Sequence, residues 1–592
     1  MELSSLATDL LSRPYLVLKH EQLRRYYSQH EAQLSSADWS GSRLNPKNRI
    51  DNFDISGTKW RVDGATGCGT QFFVVPLNLL NDLEPLRIDV FIRDQLQHPP
   101  HLRDDLGLNI SVSLQDNRAL ARLGISHYIC RALDEQCIQD PLFLARYRKL
   151  PFGSRLIFTS INPNPKIMKL LMMPAFELER EALSVRSLQA LWPNIPEEQW
   201  PKTVDLSRLR FMHQIHESIT LVHLVDEVIK GTQQFVFKSN TEHLTYLYNE
   251  LRFLLQCPPH PNIMPSPIRL VTKQSNFGGK AGVFGFLLPY YPRESIRNNL
   301  ASLSPEHRLK VCVEVTSAMI HIQERCKTFY SDLRPDNVLL SGSDDVSDTH
   351  AILCDFEQRG NHYDWCPPEI LLSLYSENLQ SNDDREGSRS LDKWPHIKNL
   401  AQRNSRLLSQ KSRGSWEDSS LNQPWANLNP LQQERAMVYT LGLFIYAVFE
   451  GLGDLRRSIM HNYPINHSSK FPQMRQTPLR IGKIIWRCTR DAPGWGYDEW
   501  STKGSVIAAN RLSHHAGYVF PTEGKPIEKS VEVTVDSTID MALKWWHAEL
   551  TWANEVLGNL EKGNIDLGSG RPSLRDVLTA LQDISINDEG NI

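Results

Sequence analysis

The segment MVYTLGLFIYAVFEGL, residues 437 to 452, is apolar almost around its whole circumference when read as a helix. A helix with no polar face is stable only where protein covers every side, so this chain must build a deep helical core around it. At 592 residues the chain also exceeds what one hydrophobic core can organise, and two or more domains are expected. Apolar stretches such as LIFTSI and KIMKLLMMPAF fall well short of the roughly 20 residues of a membrane span.

Charge and cysteine content narrow the class. A formal net charge of -3 gives no overall pull toward nucleic acid or an anionic membrane, and neither is expected as a partner. The nine cysteines lie far apart, with no C-x-x-C pair and no His/Cys cluster at zinc spacing, which argues for reduced thiols. The first residues lack a basic stretch followed by an apolar run and a small-residue cleavage site. A cytoplasmic chain is expected, with the nucleus also open.

Along the first 200 residues the signals are mixed. QFFVVPLNLL, LRIDVFI and the alternating LNISVSL read as strands, whereas DNRALARLGISHYICRALDE and FELEREALSVRSLQALW have helical spacing. The prolines of PNIPEEQWPK mark a linker. From about 205 to 300 the text is strand-rich, then helical, then strand-rich again, and a helix with proline in its first turn is expected over 304–330. A polar tract after residue 375 reads as a solvated insertion over about 376–433. A second insertion, about 493–570, includes the amphipathic TIDMALKWWHAELTWANEVLGNLE.

Several short motifs then occur in a fixed order. QQFVFK is a strand ending in Lys238, and YLYNELRFLLQCPPHPNIM is a helix carrying Glu250 and followed by HPNI. FLLPYYPRESI comes next, then YSDLRPDNVLL with its D-x-x-x-x-N spacing, then AILCDFE, CPPEI and GRPSLRDVL. This order resembles the protein-kinase superfamily, from about residue 205 onward. The wording of QIHESITLV, DFEQRGN and PPEI looks like kinase-like proteins of filamentous fungi. The resemblance implies an α+β, bilobal fold: a small β-rich N-lobe over 205–300 and a mainly helical C-lobe over 301–585, preceded by a separate mixed α/β region over 1–200.

The resemblance also implies roles. Asp332 accepts the substrate hydroxyl proton, while Asn337 and Asp355 hold Mg²⁺ on the phosphates of ATP. Arg334 stands for the loop lysine and brings positive charge to the transferred phosphate in a different geometry. Lys238 contacts the phosphates and pairs with Glu250. Leu288 falls at the gatekeeper and Leu339 floors the adenine pocket. Pro289 and Tyr291 supply the hinge carbonyl and N–H that adenine needs, since proline lacks only the N–H. Glu369 is expected to pair with Arg571 and close the C-lobe.

The departures are equally specific. MHQIHESITLVHLV has no glycine where the family places a phosphate-covering glycine-rich turn, and His216, Glu217 and Ser218 fill it. Glu357 replaces the glycine after Asp355-Phe356, and Tyr330-Ser331 replaces the family's His-Arg. That arginine grips a phosphorylated activation loop, so Ser331 implies no such control. The segment EQRGNHYDWC is short and contains no Ser or Thr. Met437 stands where the family keeps an aspartate that braces the catalytic loop, and with Tyr330 it is expected to form one compensated repacking. Two readings follow: a phosphotransferase of Ser/Thr type acting on an unidentified protein, or a pseudokinase that scaffolds a partner with weak or no turnover.

Overall fold

A computed structural model describes residues 57–65, 71–77, 88–92, 124–160, 168–225, 234–241, 243–275, 278–342, 348–358, 365–370, 423–426, 428–453, 476–490 and 568–584, with a few isolated positions elsewhere. The chain is mixed α+β, and it divides into two compact units that exchange the chain at 255/256, 265/266 and 290/291. The expected strand LNISVSL, most of both insertions and most of the tryptophan-rich helix near 545 lie outside the described residues.

The first unit holds two sheets. Strands β1 (Trp60–Ala65), β2 (Gln71–Pro76), β3 (Ile88–Ile92), β4 (Arg155–Ser160) and β5 (Lys169–Met173) form a sheet in sequence order. Only β3 and β4 in it run parallel, and helix α1 (Gly124–Gln139) occupies the crossover they need. One apolar face of α1, with Ile125, Tyr128, Ile129 and Leu133, packs on Phe72, Val74, Val90, Leu156 and Phe158. Each such side chain, removed from water, contributes roughly 1.5–3 kcal/mol. Short helices α2 (Phe143–Arg148), α3 (Phe176–Glu181) and α4 (Val185–Leu191) follow.

FELEREALSVRSLQALW is therefore two helices, not one. Leu183 is taken from the helix by tertiary bonds: its N–H donates to Tyr248 Oη at 2.9 Å, and its carbonyl accepts from Val283 N at 2.8 Å. Ser184 then caps α4 by accepting from Ser187 N. The proline-rich segment 193–202, read as a linker, lies within this unit, where Trp192 and Trp200 stack at 5.8 Å.

The second sheet has the order β6-β10-β11-β9-β8-β7. Its strands are β6 (Thr203–Asp205), β7 (Leu209–His216), β8 (Ile219–Leu224), β9 (Gln234–Ser239), β10 (Arg269–Gln274) and β11 (Ala281–Pro289), with helix α5 (Leu244–Gln256) between β9 and β10. Asp63 joins the two sheets. Its carboxylate is fully buried, accepts from Gln214 N at 2.9 Å, and pairs with Arg61 and with His213 Nδ1 at 3.2 Å. Burial opposes its charge, but these partners prevail and hold Asp63 below the usual aspartate range.

The second unit is mainly helical: α6 (Ile296–Asn299), α7 (Pro305–Glu324), α8 (Gln423–Ala426), α9 (Pro430–Glu450), α10 (Leu479–Cys488) and α11 (Leu574–Gln582). A two-stranded ribbon, β12 (Val338–Ser341) and β13 (His350–Leu353), completes it. Helix α7 starts at Pro305, capped by Ser304, but ends at Glu324, short of the expected 330; Lys327 beyond it is left-handed, with φ 53°. Helix α9 is the apolar helix of the sequence. Asn429 and Gln432 form a capping box, Gly451 ends it at φ 69°, and every residue from Ala436 to Phe449 is buried. No helix among the described residues is long and apolar enough to cross a membrane.

Candidate functional site

In the first unit, strand β9 carries Lys238 and helix α5 carries Glu250, and their side chains form an ion pair that is 4% and 1% exposed. The twelve-residue separation is enough because β9 ends at Ser239 and α5 turns straight back from Leu244. Gly285 on β11 makes this packing possible, since a Cβ there would lie 2.3 Å from the Lys238 carbonyl oxygen. Leu288 and Pro289 end β11 opposite Val236 and Phe235, and Leu288 is buried.

The β7–β8 turn, where the sequence lacks glycines, is built differently from a glycine loop. Gln214, fully buried, donates from Nε2 to His216 O at 2.5 Å and to Glu217 O at 3.4 Å. Thr220 Oγ1 in turn donates to Gln214 Oε1 at 2.7 Å. One side chain, held in turn by Thr220, thus satisfies two of the turn's carbonyls from inside, and no residue from 216 to 218 has a positive φ.

In the second unit, Asp332, Arg334, Asp336 and Asn337 converge. Asn337 Nδ2 donates to Asp332 O at 2.8 Å and Asp332 Oδ2 at 3.0 Å. Arg334 Nε lies 3.3 Å from Asp332 Oδ2, and Arg297 binds Asp336 through both carboxylate oxygens. Burial opposes the Arg334 charge, yet the carboxylates of Asp332, Asp336 and Asp355 raise its pKa further above the usual guanidinium value. Leu339 on β12 pairs with Ile352 on β13, which leads through Cys354 to Asp355. Tyr291 is half-buried, and burial, with the Cys354 thiol second, pushes its phenol up.

Asp355 is left-handed at φ 63°, a conformation that costs a non-glycine residue roughly 1–3 kcal/mol. The replaced glycine, Glu357, is buried at ordinary φ; the second left-handed residue is Gln358, at φ 55°. The left-handed positions of this segment are thus Asp355 and Gln358, which flank Phe356 and Glu357.

Tyr330 and Met437 do pack as one unit. The Tyr330 N–H points to Met437 Sδ at 3.3 Å, Tyr330 Oη donates to Cys354 O at 2.6 Å, and its ring meets Phe356 edge-on at 5.3 Å. Burial drives the Tyr330 phenol far up, so it stays a neutral donor. Glu369 accepts a bidentate pair from Arg571 at 2.7 and 3.2 Å. The same guanidinium donates to the carbonyls of Arg435 and Arg490 and lies over the Tyr439 ring.

Gln358 was not anticipated. Its Oε1 accepts from Ser331 N at 3.1 Å and Ser331 Oγ at 2.6 Å, while its Nε2 donates to Phe329 O at 2.6 Å. A neutral amide thus holds residues 329–331 at the position where the resemblance had suggested a missing arginine grip. The available signal was that a buried serine needs a partner. No family model matches the chain, and no curated protein matches it significantly.

Proposed function

We propose that the chain is an ATP- and Mg²⁺-dependent, protein-kinase-like phosphotransferase of Ser/Thr type, bilobal, with no control by activation-loop phosphorylation. The observation that carries this reading is the gathering of Asp332, Asp336 and Asp355 around Arg334, with the Asn337 amide clamped on Asp332. The donor chemistry fits the metal. Asn337 commits its Nδ2 to Asp332, which leaves its Oδ1 open as an oxygen donor, Asp355 follows β13 with a carboxylate, and hard oxygen donors suit Mg²⁺. Bound there by Asn337 and Asp355, Mg²⁺ supplies charge neutralisation to the phosphates.

The chain's own groups do the rest. Asp332 takes the hydroxyl proton, oriented by Asn337. Arg334 stays charged and presents it near the transferred phosphoryl group, and Lys238, oriented by Glu250, binds the nucleotide phosphates. Leu288, Pro289, Tyr291 and Leu339 are assigned to adenine. Phosphoryl transfer is mainly positioning and charge stabilisation, so this set suffices for the chemistry. The Gln358–Ser331 bonds support independence from a phosphate-controlled loop.

Two observations favour the second reading, a scaffold with weak or no turnover. The β7–β8 turn has a half-exposed Glu217 where phosphate would be covered, and Arg334 occupies an oxygen of the presumed base. A thermal-shift titration with ATP, with and without Mg²⁺, on wild type and Asp355→Asn separates the two. A ligand at 100 times its Kd stabilises by about 2.7 kcal/mol. The expected result is a Mg²⁺-dependent rise that Asp355→Asn loses. No shift at millimolar ATP sinks the enzyme reading.

A further inference from the structure

Outside the proposed site, the second unit gathers two thiols and an imidazole. Cys257 follows the end of α5, His321 sits in the last turn of α7, and Cys326 lies just beyond it. Their donor atoms lie within 4.8 Å of one another, and the two sulfurs are 3.0 Å apart despite a 69-residue separation. All three residues are half-buried.

The surroundings are arranged. His321 Nε2 lies 2.9 Å from Pro258 O, a carbonyl that can only accept, so Nε2 is the donor of that bond. His260 lies tilted at 41° to the His321 ring with centroids 4.8 Å apart, and its Nδ1 accepts from Asn262 N at 3.1 Å. The hydrogen bond from Cys257 favours the Cys326 thiolate and holds Cys326 below the ordinary thiol range. A tetrahedral ion binding both thiolates at about 2.3 Å would hold the sulfurs about 3.8 Å apart. They are already closer, and the described residues bring three donors, not the four of a closed structural site.

We propose that Cys257 and Cys326 form a dithiol that a hydroperoxide oxidises to an intramolecular disulfide. The Cys326 thiolate attacks a peroxide oxygen; the O–O bond breaks, one water leaves after protonation, and Cys326 becomes a sulfenic acid. Cys257 sulfur then attacks that sulfur, the S–S bond forms, and the second oxygen leaves as water. Two thiols lose two electrons and two protons, and one hydrogen peroxide becomes two waters. The bond fixes segment 256–265 to the end of α7. That segment carries Asn262, whose side chain donates to Ala351 O at 2.9 Å, and Met264, whose N–H donates to Leu353 O at 2.9 Å. The disulfide therefore restrains β13, the strand that leads to Asp355.

The test uses the reduced full chain, treated with hydrogen peroxide, alkylated, digested and mapped by mass spectrometry. The expected product is the Cys257 peptide joined to the Cys326 peptide, reversed by dithiothreitol, with a melting temperature raised by roughly 5–10 °C. Cys257→Ser is expected to abolish that rise and leave a sulfenic acid on Cys326 that dimedone traps. Two thiols that remain separately alkylated after peroxide overturn the proposal. So does a stoichiometric zinc ion that must be chelated before either thiol reacts.

Discussion

Replacing Lys238 with Met removes one half of an ion pair whose side chains are 4% and 1% exposed. The Glu250 carboxylate then remains in a site closed to water, and breaking a buried pair in this way costs about 3–5 kcal/mol. Replacing both partners, Lys238→Met with Glu250→Leu, removes the stranded charge as well, and similar apolar pairs are neutral or stabilising. The double variant is therefore expected within about 1 kcal/mol of wild type, so that removing the second partner recovers roughly 2–4 kcal/mol of what Lys238→Met loses. Urea unfolding of the four proteins of the cycle measures it. A single variant as stable as wild type would mean that the carboxylate is solvated. A double variant as unstable as the single would place the cost in packing and not in charge. Nucleotide binding adds an independent axis: both variants are expected to lose the ATP-induced thermal shift, although only one is unstable.

Other outcomes follow from the same geometry. Arg571→Ala strands Glu369 and two carbonyls and is expected to cost about 3–5 kcal/mol, with Arg571→Lys recovering less than half, by urea unfolding, because an ammonium cannot reproduce the fork. Gln358→Ala removes three buried hydrogen bonds to Ser331 and Phe329, an expected loss of about 2–4 kcal/mol; a change under about 0.5 kcal/mol would show the latch to be incidental. Asp63 has a lowered folded pKa, so its contribution is present above the unfolded aspartate value and disappears as pH falls through the folded one. Asp63→Asn is accordingly expected to be less stable than wild type at pH 7, with the gap closing below about pH 4 in acid-unfolding curves.

What was readable in the sequence is what local chemistry dictates. A run from Met437 to Leu452 with no polar face can only be interior, and α9 is. The pairing of Lys238 with Glu250 was readable through the resemblance of QQFVFK and YLYNELRFLLQ to kinase motifs, and not from local pattern alone. The pairing of Tyr330 with Met437 was readable because two polar residues expected by resemblance were both replaced by bulky ones. What escaped depends on distant partners. Leu183 breaks a helix only because Tyr248 and Val283 claim its backbone, and nothing near Leu183 announces either. Gln358 has a role only because Ser331 is folded against it. Cys257 and Cys326 meet across 69 residues, beyond the reach of any spacing rule, so the sequence showed scattered thiols where the fold makes a cluster.

The β7–β8 turn has a further consequence. Its shape is held by Gln214 and Thr220, which lie in the flanking strands, and not by the conformational freedom of the turn itself. Residues 216 to 218 keep their backbone bonds, with Ser218 O accepting from Ser239 N at 2.9 Å, but none has a positive φ and their side chains are exposed or half-exposed. Such a tip can drift under mutation, or accept a randomised loop, while the sheet beneath keeps its register. The same arrangement makes the hairpin brittle elsewhere: the tolerance gained at its tip is matched by dependence on a single buried amide.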